Sequence, residues 1–308
     1  MNADLLIPLF TSPIIAATPL IYAALGELVT ERAGVLNLGV EGMMLVGAVT
    51  GFAVGLSSGS LTLGIACAAL AGMVMALLFG FLTISLQTNQ VATGLALTLF
   101  GVGLSAFVGR PFVGTPIEGL KPLSIPVLSD LPVVGPLLFR FDALVYLSFA
   151  LFIAVQWFMT RSRAGLRLRA AGESPGVAHA IGQPVLRIRY LAVVFGGALS
   201  GVAGAYLSLA LTPMWVEGMS AGRGWIALAL VVFATWKPAR VLLGAWLFGG
   251  VTVMQLYVQG FGFDIPSQFL SMLPYAATII VLVIICRDPR TILLNQPASL
   301  GKSFHPDA

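Results

Sequence analysis

Residues 61–86 read LTLGIACAALAGMVMALLFGFLTISL, a run with no charged side chain that is apolar on every face. A run of this length exceeds the roughly 20 residues that carry a helix across a bilayer core. It shows none of the alternation, in segments of about ten residues, that a transmembrane barrel strand carries. Several runs of similar character flank it. The whole 308-residue chain is 58% hydrophobic and only 9% charged, against roughly 25% charged in an average soluble domain. With a mean hydropathy of +0.98 this composition excludes a soluble enzyme, a disordered chain and a disulfide scaffold. The expected class is an all-α polytopic membrane protein, because lipid leaves only helices or closed barrels able to satisfy the backbone. Cys67 and Cys286 lie far apart inside apolar runs and read as inert thiols.

Working outward, apolar runs bounded by polar or Gly/Pro punctuation predict nine spans, near 5–27, 34–56, 61–86, 91–109, 142–160, 190–211, 223–236, 241–259 and 268–286. Broken or half-membrane helices belong to this count of about nine to ten. The first run lacks a charged n-region and a cleavage motif, so it reads as a retained span. Six arginines fall between Arg161 and Arg189, which places loop 161–189 on the cytoplasmic side and the C-terminus with it. Alternating crossings then put twelve basic residues inside (Arg32, the loop arginines, Lys237, Arg240, Arg287, Arg290 and Lys302) and four outside (Arg110, Lys121, Arg140 and Arg223). The net charge of +4 is accounted for by this sorting and gives no reason to invoke nucleic acid. The whole chain reads as one transmembrane domain, with 161–189 as a cytoplasmic loop and the proline-rich 111–141 as an external loop.

Two predicted spans are physically poor. Gly34 to Gly51 (GVLNLGVEGMMLVGAVTG) carries five glycines, Asn37 and Glu41, and 223–236 is too short to cross untilted. Irregular backbone at membrane depth is tolerated where it is buried in protein or lines a wet cavity, so such segments point to a transport route. Glu41 is read as the one strong interior carboxylate. It either anchors the amides of a broken helix or touches solute directly, and if the segment is helical Asn37 shares its face. Candidate pathway groups are Asn37, Glu41, the polar cluster with Asn89, Gln90 and Thr93, and the aromatic and charged set Trp215, Glu217, Arg223 and Trp225. The last set could stack on a planar ligand and bond its polar edge; belt tryptophans and a plain turn are the bland alternatives.

Catalytic and metal motifs are absent. The two histidines, His179 and His305, stand in no zinc or protease pattern, and there is no phosphate-binding glycine loop. Neither a cofactor nor a resident metal is expected. In the basic loop, Ala170 to Gly182 (AAGESPGVAHAIG) reads as one short helix with Ser174 as N-cap, Pro175 as first residue and a glycine end, suited to docking in a partner's groove.

Taken together, Glu31–Gly47 (ERAGVLNLGVEGMMLVG), Thr88–Gly94 (TNQVATG), 163–189 (RAGLRLRAAGESPGVAHAIGQPVLRIR), Phe195–Leu207 (FGGALSGVAGAYL) and Gly222–Trp236 (GRGWIALALVVFATW) resemble ABC importer permeases. The group is the one serving branched-chain amino acids, ribose and nucleosides. The wording is most similar to the shorter permease subunit of nucleoside importers with a basic-membrane-protein lipoprotein receptor. The resemblance implies a non-catalytic permease in a bacterial inner membrane, translocating nucleosides or a related polar solute such as a simple sugar. It also implies a second homologous permease, two ATP-binding subunits or one fused ATPase, and an extracytoplasmic binding lipoprotein. The coupling segment would include Arg167, Arg169, Gly172, Glu173, Ser174, Pro175, Ala178 and Gly182. An ion-coupled secondary transporter, with Glu41 as its ion site, is the alternative.

Overall fold

A computed structural model describes residues 3–123, 134–260, 266–286 and 295–305. Arg287, Arg290 and part of the external loop, 124–133, lie outside the described residues. The described chain is helical: α1 Ala3–Arg32, α2 Val40–Ser58, α3 Leu61–Gly80, α4 Gln90–Gly109, α5 Val134–Leu138, α6 Ala143–Arg161 and α7 Arg163–Glu173. There follow α8 Pro175–Ala180, α9 Val185–Tyr206, α10 Arg223–Phe233, α11 Pro238–Gly260, α12 Ser267–Ser271 and α13 Leu273–Cys286. Wider turns extend α3 through Phe81–Ser85 and α9 through Leu207–Leu211.

Among the described residues seven helices are long and apolar enough to cross a membrane. The stretch 223–236, read as too short to cross untilted, forms a helix of 11 residues, Arg223–Phe233, whereas the predicted span 268–286 is divided between Ser267–Ser271 and the 14-residue Leu273–Cys286. The run 34–56 is corrected in a different way: residues 33–39 form an irregular buried turn, and an unbroken α2 begins only at Val40. The glycines place the break before the helix, not within it.

At the centre stands α9, packed on α1, α2 and α3. Its FGGALSGVAGAY face lets backbones touch. A Cβ on Gly204 would sit 1.8 Å from the Met44 carbonyl oxygen, and one on Gly72 would sit 2.1 Å from that of Gly197. In lipid, where helices gain no hydrophobic drive by associating, such small-residue contact supplies packing that larger side chains would block. At one end Asp142 caps α6, accepting from the Leu144 and Val145 amides, and its other oxygen accepts from Tyr206 Oη. Burial raises the Asp142 carboxyl above its ordinary range, with these bonds pulling the other way.

The basic residues divide by end. Arg32 donates to the Trp236 carbonyl, Arg189 to that of Lys302, and Gly172 abuts Arg32, so these groups gather at one end. Arg110 follows Gly109, which packs on Trp215 at the other. There, residues 113–120 run beside 209–215, with Ile117 N–H donating to Pro213 and Leu120 N–H to Leu209.

Gly204→Val should lower the detergent melting temperature and the accumulated protein, with a cost of about 1–3 kcal/mol or more, as for overpacking. A variant as stable as the native chain would contradict the backbone-contact reading of α9.

Candidate functional site

The two irregular stretches meet. After α1 the chain turns through a left-handed Gly34 (φ +86°) and threads residues 35–39 between neighbouring helices. The turn is satisfied from all sides. Gln90 Oε1 accepts from Leu36 N–H at 2.8 Å, Glu27 Oε1 accepts from Asn37 N–H at 3.0 Å, and Thr98 Oγ donates to the Leu38 carbonyl at 2.8 Å. Asn37 Oδ1 takes the Gly39 amide, which sets the entry to α2. Gly42 then rests on Leu97 and Thr98, so α2 begins halfway along α4.

Glu41 lies in the first turn of α2 and is buried. Its Oε1 accepts from Ser220 Oγ at 2.6 Å and Gly222 N–H at 2.8 Å; its Oε2 accepts from Gly224 N–H at 2.6 Å. These amides belong to the first turn of α10, whose own N-cap, Gly222, offers no side chain. A carboxylate from another helix thus supplies what the helix start lacks, placed where the helix dipole favours negative charge. Reaching it requires a tight turn: Ala221 is left-handed (φ +47°), as is Gly222 (φ +79°), and Tyr275 Oη donates to the Ala221 carbonyl. Arg223 folds back onto the Met219 and Ser220 carbonyls.

The depth of this junction follows from its neighbours. Trp215 packs against Gly109 at one end of α4, whereas the Glu41 junction is level with Thr98. From there α10 runs to Phe233, and the turn after it sets Trp236 beside Glu31 and Arg32 at the end of α1. At 1.5 Å per residue its 11 residues cover about 16 Å, roughly half of a bilayer core.

The structure places Glu41 and Arg223 at the start of α10, with Trp225 part-exposed one residue beyond Gly224, and Asn37 and Gln90 at the turn that precedes α2. Asn37 does not share a helical face with Glu41, because its segment is not helical. Asn89 is the N-cap of α4, accepting from Ala92 N–H, and Thr93 pairs with Thr88. Trp215 and Trp225 do not share an environment: Trp215 is wholly buried among Phe52, Phe112 and Ile117, and Glu217 is exposed. Glu41 is also not the only interior carboxylate. Glu27 and Glu31 are both buried in α1, holding Asn37 N–H and Trp236 Nε1. The sequence reading ended the first span at Glu27 and passed over that acid, whereas α1 runs on to Arg32 and takes Glu31 inside as well.

In the basic loop, α7 starts at Ser162, whose Oγ accepts from Gly165 N–H, and the helix breaks at Ser174. The expected short helix is present as α8, starting at Pro175, but Ser174 makes no side-chain cap for it, and a separate helix, α7, precedes it. The end of α8 is as expected: Gly182 is left-handed (φ +79°), with its N–H on His179 and that of Gln183 on Ala178. Gly172 and Ala178 face inward, while Arg167, Glu173 and Ser174 are exposed. Outermost are Val177 and Ile181, 64% and 69% exposed, which the sequence reading passed over. A cavity of about 620 Å³ between α1, α6, α7 and α9 is lined almost wholly by apolar groups and adjoins this loop, not Glu41.

Residues 10–285 match the family described as "Branched-chain amino acid transport system / permease component". The chain belongs to this permease family. It is 43% identical to the putative glucose ABC transporter permease protein TsgC13 of Haloferax volcanii, over 96% of this chain and 97% of that one. It is 33% identical to the nucleoside ABC transporter permease protein NupC of Lactococcus lactis, covering 88% of this chain and 90% of the relative. The guanosine ABC transporter permease protein NupQ of Bacillus subtilis is 31% identical, with 87% and 89% covered. No solved structure matches. The chain is thus a multi-pass ABC transporter permease subunit, and permeases of this family are normally non-catalytic.

Replacing Glu41 by Ala leaves the Gly222 and Gly224 amides buried without an acceptor, at about 1–3 kcal/mol each. Glu41→Ala should therefore lower the melting temperature and abolish transport, and Glu41→Gln, which keeps one acceptor oxygen, should do so less. A fully active, equally stable Glu41→Ala variant would contradict the junction.

Proposed function

We propose that this chain is one of two membrane subunits of an ATP-driven importer that carries a nucleoside or a simple sugar inward. The names of the relatives support this solute class, and the two kinds of solute share a hydroxylated ring. The observation that carries the transport reading is the Glu41 junction, where a half-length helix and a buried turn meet midway along the bundle. Asn37, Glu41, Gln90, Arg223 and Trp225 lie beside the route, with Glu41 acting mainly as the anchor that holds the α10 start in place. Solute bound weakly at such a midpoint can leave again, whereas tight binding would slow release. Selectivity then rests with a receptor outside the membrane.

The loop carrying α7 and α8 docks the ATP-hydrolysing subunits on the cytoplasmic side, where positive-inside sorting puts the end that gathers Arg32, Arg189 and Lys302. Val177 and Ile181 supply the apolar tip that enters a groove, with Arg167 and Glu173 at its edge. ATP binding brings the motor subunits together, α8 moves with them, and the two permeases rock between outward and inward openings. An ion-coupled mechanism finds no support at Glu41, whose two oxygens already accept three hydrogen bonds.

Uptake of labelled nucleosides, sugars and leucine in cells with and without this gene tests the solute class. Gene-dependent uptake of a nucleoside or sugar is expected; gene-dependent uptake of leucine alone would contradict it. For the docking surface, Val177→Glu and Ile181→Glu should abolish co-purification of the ATP-hydrolysing subunit while the permease still accumulates. Retained co-purification and transport in both variants would overturn the assignment.

A further inference from the structure

The described tail, residues 295–305, returns across the basic loop. Ser299 donates twice to the Gly172 carbonyl of α7, from its N–H at 3.1 Å and its Oγ at 2.6 Å. Arg189 of α9, 2% exposed, donates to Ser299 Oγ at 3.1 Å and to the Lys302 carbonyl at 3.2 Å. Its guanidinium lies 5.9 Å from the centre of the Phe304 ring. Phe304 is buried against Ala171, Ala178 and Val185 and meets His179 edge-on at 5.7 Å. Gln87, in the turn between α3 and α4, donates to the Phe304 carbonyl.

Two physical points give this contact weight. First, α8 is held weakly by its own chain. It is joined to α7 through the non-helical Ser174 and to α9 through the left-handed Gly182, and Ala178 is its one buried residue. Phe304 is one of the residues with which Ala178 is buried, together with Ala171 and Val185. Second, Arg189 is a buried cation, and among the described residues no carboxylate lies at ion-pair distance from it. Tail oxygens are its hydrogen-bond acceptors, so without the tail a buried charge would lose its partners, which is costly. The Gly34 turn packs against the same groups: a Cβ on Gly34 would meet Ser299 Oγ, Arg189 and Gly172. That turn leads within seven residues to Glu41.

We infer that Ser299 and Phe304 are positioning residues for energy coupling, locking α7, α8 and the Gly34–Gly39 turn into one unit. Displacement of α8 then reaches the Glu41 junction instead of being absorbed by bending at Ser174. This rests on the docking role of α8 proposed above. Coupling of this kind needs an element that responds as a body to both sites, and the tail supplies the contacts that make it one.

The test uses the full importer, with both permeases, motor subunits and receptor, reconstituted in liposomes. Solute moved and ATP hydrolysed are measured together, along with co-purification of the motor subunit. Phe304→Ala and Ser299→Ala should keep the motor bound and hydrolysing while solute moved per ATP falls about fivefold, within the range for residues along a coupling network. Phe304→Leu should restore most of the ratio. An unchanged ratio in Ser299→Ala and Phe304→Ala would overturn the inference, as would loss of the motor subunit, which would make the tail a docking element. Should Phe304→Ala fail to accumulate, Ser299→Ala, which removes the two hydrogen bonds of its hydroxyl, and Gln87→Ala, which removes one, carry the same decision. Val177→Glu serves as control: if it releases the motor and the tail variants change nothing, the docking reading stands and this inference falls. If Val177→Glu has no effect, the docking reading itself fails.

Discussion

A helix that begins inside a bilayer exposes amides for which lipid offers no acceptor, and here one carboxylate resolves that problem. Glu41 takes the Gly222 and Gly224 amides and the Ser220 hydroxyl, so α10 can start midway along α4 and cover about half of a bilayer core. The same three bonds keep the carboxylate itself tolerable, since an ionised group at membrane depth costs several kcal/mol without partners. Each side of the junction depends on the other. Removing the acid strands the amides, and lengthening α10 to a full span would leave the acid without them.

The rest of the fold holds the two sides of that junction in register. Glycine faces on α9 let it touch α2 and α3 backbone to backbone, which fixes the depth of α2 and with it Glu41. Asn37, Gln90, Thr98 and Glu27 hold the turn that delivers α2, and Trp236 and Arg32 tie the far end of α10 to α1. At that end the turn rests on Gly172 and the tail, so the segment that leads into Glu41 also touches the basic loop. In the proposed importer this turn is the path by which hydrolysis on a partner chain would reach the Glu41 junction.

Much of this was legible in the sequence because hydropathy and glycine content act locally. The apolar runs fix the helical class, Gly34 and Gly39 bound the irregular stretch while the other three glycines near Glu41 sit in an unbroken helix, and the pattern SPGVAHAIG marks a short helix that starts at its proline and ends left-handed. What escaped depends on partners distant in the chain. Glu27 and Glu31 look like the polar edge of a first span until Asn37 and Trp236 are seen to hold them. Trp215 carries the same amphipathic signature as Trp225, and only its packing on Gly109 and Phe112 separates a core residue from a part-exposed one. Ser220 and the two glycines that Glu41 grips carry no chemistry a motif could flag, since their backbones or a small hydroxyl do the binding. The tail is short, polar and far from the loop it braces, so nothing local announced its role.

Whether the Glu41 junction borders the solute route is tested most directly by access. In an assembled importer with Cys67 and Cys286 replaced by serine, a Trp225→Cys variant would be exposed to a small water-soluble thiol reagent with and without solute and ATP. Labelling that depends on the ATP state and is slowed by transported solute is the predicted result. A thiol at 225 that stays unreactive in every state, or reacts equally in all of them, would contradict the account.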